Sequence, residues 1–155
     1  MWWRLGHAEF KQKKGAPNRR AFRRLVDSGA VPGILAYAGS DPVGWCAVEP
    51  RAAYPRFAVS RNLKPVDDQP VWSVTCFFVA RAFRRQGVTV QLLEAAKKHA
   101  RKQGAHILEG YPIEPGGGTV PAAFAWTGFV PAFRAAGFTE ALRRSPRQPI
   151  VRCTL

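Results

Sequence analysis

Nine consecutive residues, Val71–Val79 (VWSVTCFFV), are mostly β-branched or aromatic, and an arginine-rich stretch and a helical pattern follow at once. A run of that composition reads as a central strand. Ala80–Gly87 carries Arg81, Arg84 and Arg85, and a helix is predicted from about Val88 to Gln103. Val90, Leu93, Ala96 and Ala100 recur on one face of it. Lys97, Lys98, Arg101 and Lys102 load its last turns, where they suit the helix dipole, and Gly104 is a natural stop. Glu94 and Lys98 are spaced as an i,i+4 pair.

The start of that helix is chemically unusual. A helix N-terminus leaves backbone N–H groups unpaired and carries partial positive charge, which Asp, Ser or Glu normally offset. Here the first acid after the strand is Glu94, well inside the helix, and arginines stand where acids are expected. Such an end calls for an external anion. Gly87 allows a tight turn and close approach of backbone to that anion, and a diphosphate is the obvious occupant.

The remaining pattern places this unit in one α+β domain covering residues 1–155. Pro17-Asn18 opens a helix in which Ala21, Phe22, Leu25 and Val26 share a face, and Gly29 ends it. A basic turn, Lys11–Gly15, precedes it. Gly33–Ala38 and Val43–Val48 flank Gly39-Ser40-Asp41-Pro42 as an antiparallel hairpin. Proline-punctuated Arg51–Asp68 is a loop with at most one short helix. His106–Tyr111 is a further strand, and Pro112–Pro121 is a glycine-rich loop. Ala122–Ala136 is helical in part, with a break near Pro131, and Phe138–Arg144 and Ile150–Leu155 are closing strands. The 46% hydrophobic content suits a globular domain of this length.

Composition narrows the function classes. Cys46, Cys76 and Cys153 are scattered, as expected of free thiols in a reducing cytoplasmic setting, and His7, His99 and His106 lack ligand spacing, so no metal is expected. Neither a signal peptide nor a membrane span is read: the long apolar segment Pro121–Phe138 is interrupted by Pro131 and Arg134. Lys and Arg number 24 against 10 Asp and Glu, a net charge of +14 that attracts anions without naming one.

Arg84-x-x-Gly87-x-Thr89, set after the hydrophobic strand, resembles the cofactor signature of the GNAT acyltransferase superfamily, with Thr89 replacing the last small residue. The order hairpin, strand, turn, helix, strand, helix, closing strands is similar to that family over roughly residues 30–155. Phe133-Arg134-Ala135-Ala136-Gly137-Phe138 resembles its late helix ending in Gly-Phe. The resemblance implies a mixed central sheet, flanked by helices and splayed at the acyl-CoA site. It implies acetyl-CoA as co-substrate and direct acetyl transfer to an amine. Backbone N–H groups of Arg85, Gln86, Gly87, Val88 and Thr89, with the Arg84 and Arg85 side chains, would bind the pyrophosphate. Phe77, Phe78 and Val79 would receive pantetheine, an N–H near Val79 polarising the thioester.

The proton-transfer groups stay open at this stage. Many relatives use a Tyr four residues before the Gly of Gly-Phe, and this chain has Phe133 there. Glu109 and Tyr111 alternate on one strand and face the same side, as catalytic candidates or as an arginine-paired acid beside a packing ring. Glu49 is another candidate base. Cys76 is either an acyl carrier or inert packing, and the five Trp either line an acceptor pocket or fill the core. A small-metabolite amine, a protein N-terminus and a lysine all remain compatible acceptors, as does a homodimer. The competing readings are a basic nucleic-acid-binding module and an inactive acyl-CoA sensor of the same fold.

Overall fold

Six strands form one mixed sheet in the order β1-β2-β3-β4-β6-β5 in the computed structural model, which describes residues 1–116 and 125–155. The elements run α1 (His7–Gln12), α2 (Ala16–Asp27), β1 (Gly33–Ala38), β2 (Asp41–Pro50), β3 (Trp72–Val79), α3 (Val88–Lys102), β4 (Ile107–Gly110), α4 (Val130–Ala135), β5 (Thr139–Leu142) and β6 (Ile150–Thr154). Short 3-10 turns occupy Arg51–Ala53, Pro55–Phe57 and Arg81–Phe83. Strands β3 and β4 are parallel neighbours, joined through α3, as a crossover connection requires.

Alternation along the strands sorts their side chains into two layers. Cys46, Val48, Val74, Phe77 and Leu108 pack with Leu92, Leu93, Ala96 and Ala100 of α3 and Phe133 of α4. Tyr54, Phe57, Leu63, Tyr111 and Ile150 form a second cluster, with Trp3 against it. The first cluster lies on the α3 side of the sheet. The second gathers the loop after β2 and the N-terminal segment.

Several details differ from the sequence pattern. Helix α1 takes in Lys11 and Gln12, so the expected basic turn shrinks to the few residues before Ala16; Lys13 pairs with Glu9 at 2.7 Å. Glu94 pairs with Lys97 at 2.9 Å rather than with Lys98. Lys97 also donates to the Ala136 carbonyl at the end of α4, a second partner that favours it. Leu92 joins the buried face of α3 beside Leu93. Pro131 begins α4 instead of breaking it, since a first-turn proline sacrifices no helical hydrogen bond. The Ala122–Ala136 and Pro112–Pro121 segments fall partly outside the described residues. No helix among the described residues is long and apolar enough to cross a membrane.

Candidate active site

The parallel ladder between β3 and β4 is short. Trp72, Ser73 and Val74 pair with Leu108, Glu109 and Gly110, and there the pairing ends, although β3 continues to Val79 against β2. The β2–β3 register shifts between Ala47 and Val48, which pair with Cys76 and Val74, so Thr75 is an extra residue on β3. A bulge of this kind turns two neighbouring side chains to one face. Both Thr75 and Cys76 line a cavity of about 510 Å³, together with Met1, Trp2, Trp3, Arg4, Phe22, Trp45, Ala47, Tyr54 and Trp126. The sheet thus opens beside a bulged strand, with a pocket at the bulge.

Farther along β3 the chain reaches the arginine-rich turn. Arg84 through Gly87 are exposed, and both Arg85 (φ 63°) and Gly87 (φ 78°) take the left-handed conformation. For a residue with a Cβ this region costs about 1–2 kcal/mol, so strain is stored at Arg85. Gly87 is the N-cap of α3; no side chain caps that end and its first turn holds no acid. A Cβ at Gly87 would meet nothing within 4 Å, so the space over the helix start is open. The Arg84 Nε donates to the Val79 carbonyl at 3.0 Å, and the Gln86 amide donates to the Ala82 carbonyl at 2.8 Å. These two bonds brace the exposed turn. The arrangement fits a polyphosphate.

Between turn and bulge, β3 has no strand partner on the side of the splay. Phe77 is buried toward Phe133, their ring centroids 5.9 Å apart, whereas Phe78 is 58% exposed. The Phe77 N–H donates to the Trp126 carbonyl at 2.7 Å. Across the gap, Ile113 N–H donates to the Gly128 carbonyl at 2.8 Å, and Val130 N–H to the Ile113 carbonyl at 3.1 Å. Residues 125–130 therefore bridge both sides of the splay. Beside them, the Thr127 hydroxyl is buried without a hydrogen-bond partner among the described residues.

Glu109 and Tyr111 come together, as strand alternation implies, and neither lines the pocket at the bulge. Both are fully buried. One Glu109 oxygen accepts from Arg51 at 2.5 Å and from the Tyr111 hydroxyl at 2.6 Å. The other accepts from Arg152 Nε at 2.8 Å. Ser73, Glu109 and Arg152 lie in register across β3, β4 and β6, and Arg51 also donates to the Leu63 carbonyl at 2.5 Å. Burial and the Glu109 charge both push the Tyr111 hydroxyl well above its usual pKa. A buried carboxylate with both oxygens engaged by arginines is poorly placed to take a substrate proton. The network ties the loop after β2 to the sheet.

Other candidates resolve differently. Phe133 is fully buried against Gly110, where an added Cβ would lie 2.1 Å from its ring. Burial pushes the Cys76 thiol up to about 11, which suppresses the thiolate an acyl carrier needs. Glu49 forms an ion pair with Arg4 and accepts from the Tyr54 hydroxyl at 3.4 Å. Tyr54 carries no motif in the sequence. It lines the pocket, and burial pushes its hydroxyl up to about 12. Its only signal was position, five residues after Glu49 at the exit of β2. Of the five Trp, Trp2, Trp3, Trp45 and Trp126 wall the pocket, while Trp72 lies edge-on to His99 on α3. A larger cavity, about 550 Å³, lies at the far end of β3 near Trp72 and His106, remote from the turn.

The sequence profile of the acetyltransferase (GNAT) family matches residues 2–111. The chain belongs to the GNAT acetyltransferase family. No curated protein matches it in sequence. Among solved structures, the fold is similar to the ribosomal-protein-alanine N-acetyltransferase from Brucella melitensis, at TM-score 0.56 and 20% identity, covering 89% of this chain and 77% of that one. It is also similar to yncA from Salmonella typhimurium, solved with its cofactor acetyl-CoA, at TM-score 0.56 and 13% identity over 89% and 72% of the two chains. A third likeness is to the aminoglycoside acetyltransferase AAC(6')-Ib in complex with coenzyme A and kanamycin, at TM-score 0.54 and 13% identity over 77% and 64%. At these identities the likeness is one of fold. The GNAT chain described here thus has the family's α+β architecture, a mixed sheet flanked by helices.

Proposed function

We propose that this GNAT protein transfers an acetyl group from acetyl-CoA directly to an amine. The observation that carries the reading is the uncapped, acid-free start of α3. Two left-handed residues present its N–H groups there, at the end of a strand that has parted from its parallel neighbour. That start favours the pyrophosphate, with N–H groups from Arg85 to Thr89 as donors and the Arg85 side chain as counter-charge. Arg84 orients the turn through Val79.

Acetyl-CoA supplies an activated acyl group on a good leaving thiol. From Val79 back to Thr75 is about 13 Å at roughly 3.3 Å per residue, a length an extended pantetheine arm spans. The edge at Phe77, Phe78 and Val79 lies along that path, and the Thr127 hydroxyl beside it supplies an unused polar group. Phe133 is core, so another group must protonate the departing thiol. Tyr54 fits: it lines the pocket with Thr75 and Cys76 and stays protonated far above neutrality. The proton it gives the thiolate as the C–S bond breaks is replaced by the one the amine nitrogen loses as the C–N bond forms. Glu49 and Arg4 hold it, Glu49 by hydrogen bond and Arg4 by stacking its guanidinium 4.9 Å above the ring. Glu109 and Tyr111 act as a structural brace in this account.

Release of free thiol from acetyl-CoA in the presence of amines tests the reading. Wild-type protein should turn over with at least one amine, and Tyr54→Phe should lower kcat by about 10²-fold or more, leaving KM for acetyl-CoA near wild type. Bound acetyl-CoA without turnover by any amine would favour a sensor.

A further inference from the structure

Besides β3, the pocket at the bulge has walls from five separate parts of the chain: the N-terminal segment, α2, β2, the loop after β2 and the stretch that crosses the splay. Each contributes an aromatic ring. Phe22 lies edge-on to Trp45 at 6.0 Å, and Trp2 and Trp3 meet Trp126 at 6.4 and 5.4 Å. These rings do not close on one another; about 510 Å³ remains between them, within the range of small-ligand sites. Thr75 and Cys76, which line it, directly precede the stretch of β3 that has parted from β4, so an amine seated there lies beside the acyl path.

Charge then discriminates between amines. Aromatic faces attract cations, but here arginines already occupy two of them: Arg4 lies 4.9 Å from the Tyr54 centroid and Arg56 lies 3.5 Å from that of Trp2. Glu49, the carboxylate that contacts the lining residues Arg4 and Tyr54, is already paired with Arg4. Among the described residues lining the pocket there is no Asp or Glu. A second or third ammonium on the acceptor would meet guanidinium groups and the field of a +14 protein with no counter-charge.

Resting on the acetyl-transfer reading, we infer that the acceptor is a primary amine on an aromatic or bulky apolar body that carries no second positive charge. The ring or branched body fills the space between Trp45, Phe22 and Trp126, and the amine points to the bulge. Polyamines and aminoglycosides are excluded by charge.

The test compares kcat/KM for 2-phenylethylamine and tryptamine with that for spermidine and kanamycin, at one acetyl-CoA concentration. Calorimetric binding of 2-phenylethylamine and of acetyl-CoA is measured separately. The aryl amines should exceed both polycations by about tenfold or more. Trp45→Ala, and independently Phe22→Ala, should raise KM for the aryl amines several-fold and leave acetyl-CoA binding intact. Equal or better use of spermidine or kanamycin overturns the inference, as does an unchanged KM in both folded variants. Acetyl-CoA binding without aryl-amine binding or turnover also overturns it, while the transferase reading survives. Aryl-amine binding without acetyl-CoA binding retains the pocket and removes the transferase reading.

Discussion

The Phe77 N–H and the Trp126 carbonyl meet at 2.7 Å across the gap where β3 and the chain beyond β4 separate. The chain itself thus uses the backbone edge along which an acyl-CoA arm would run. An arm bonded to that edge must share or replace the Trp126 carbonyl. In amide NMR spectra, acetyl-CoA is therefore expected to shift Phe77, Trp126 and Thr127 together with Arg85–Thr89. Shifts confined to the turn would place the arm off the β3 edge.

Gly110 is tied to packing rather than to turn geometry. Its missing Cβ makes room for the Phe133 ring, which would otherwise lie 2.1 Å away. Phe133 also packs near Phe77 and Phe138, so it has little freedom to retreat. Gly110→Ala should destabilise the protein by about 1–3 kcal/mol in urea unfolding. A neutral result would mean that α4 shifts easily.

The buried row Ser73–Glu109–Arg152 separates bracing from catalysis. Removing the Glu109 carboxylate leaves Arg51 and Arg152 facing a vacated partner, and breaking a buried pair costs about 3–5 kcal/mol. Glu109→Gln should show a large part of that loss. Tyr111→Phe removes a hydroxyl bonded to Arg51, Glu109 and Ser73 and should cost about 1–3 kcal/mol. Under conditions where it is folded, Tyr111→Phe should keep near-wild-type kcat. A kcat loss of about 10²-fold with intact fold would return Tyr111 to the chemistry.

Alkaline pH should unfold the protein from a defined threshold. Burial raises the Cys76 thiol to about 11, and the Cys46 thiol and Tyr54 hydroxyl to about 12. Between ordinary and raised values the unfolded chain loses protons that the folded chain keeps, so stability falls as pH rises. The decline should begin above about pH 9 for the thiols and above about pH 10 for the tyrosine. Melting temperature across that range checks it, and Cys46→Ala should flatten the thiol part of the slope. A flat profile up to pH 11 would contradict buried, neutral side chains at these positions.

Local signals made much of this molecule readable from sequence. The run Val71–Val79, the missing acids before Glu94 and the glycine at 87 point to the strand, the helix and the uncapped turn between them, because each rests on short-range backbone physics. The hairpin and closing strands followed from alternation and turn residues. Long-range pairing was beyond such signals. Glu109 reads from the sequence either as a catalytic acid or as an arginine-paired one, and its partners Arg51 and Arg152 lie 58 and 43 residues away, beyond local signals. The Thr75 bulge and the assembly of Trp2, Trp3, Trp45 and Trp126 into one wall depend on tertiary register. Helix α1 was hidden because six residues with no buried side chain leave no apolar stripe.

Calorimetric titration of acetyl-CoA into wild-type protein and the Arg84→Ala, Gly87→Asp double variant tests the central claim most directly. Gly87 lies in open space and Asp tolerates the left-handed conformation, so the variant should fold while placing negative charge at the anion site. Saturable wild-type binding that the folded variant loses is the predicted result. No binding of acetyl-CoA by folded wild-type protein, or equal binding by the variant, would contradict a pyrophosphate site at the start of α3.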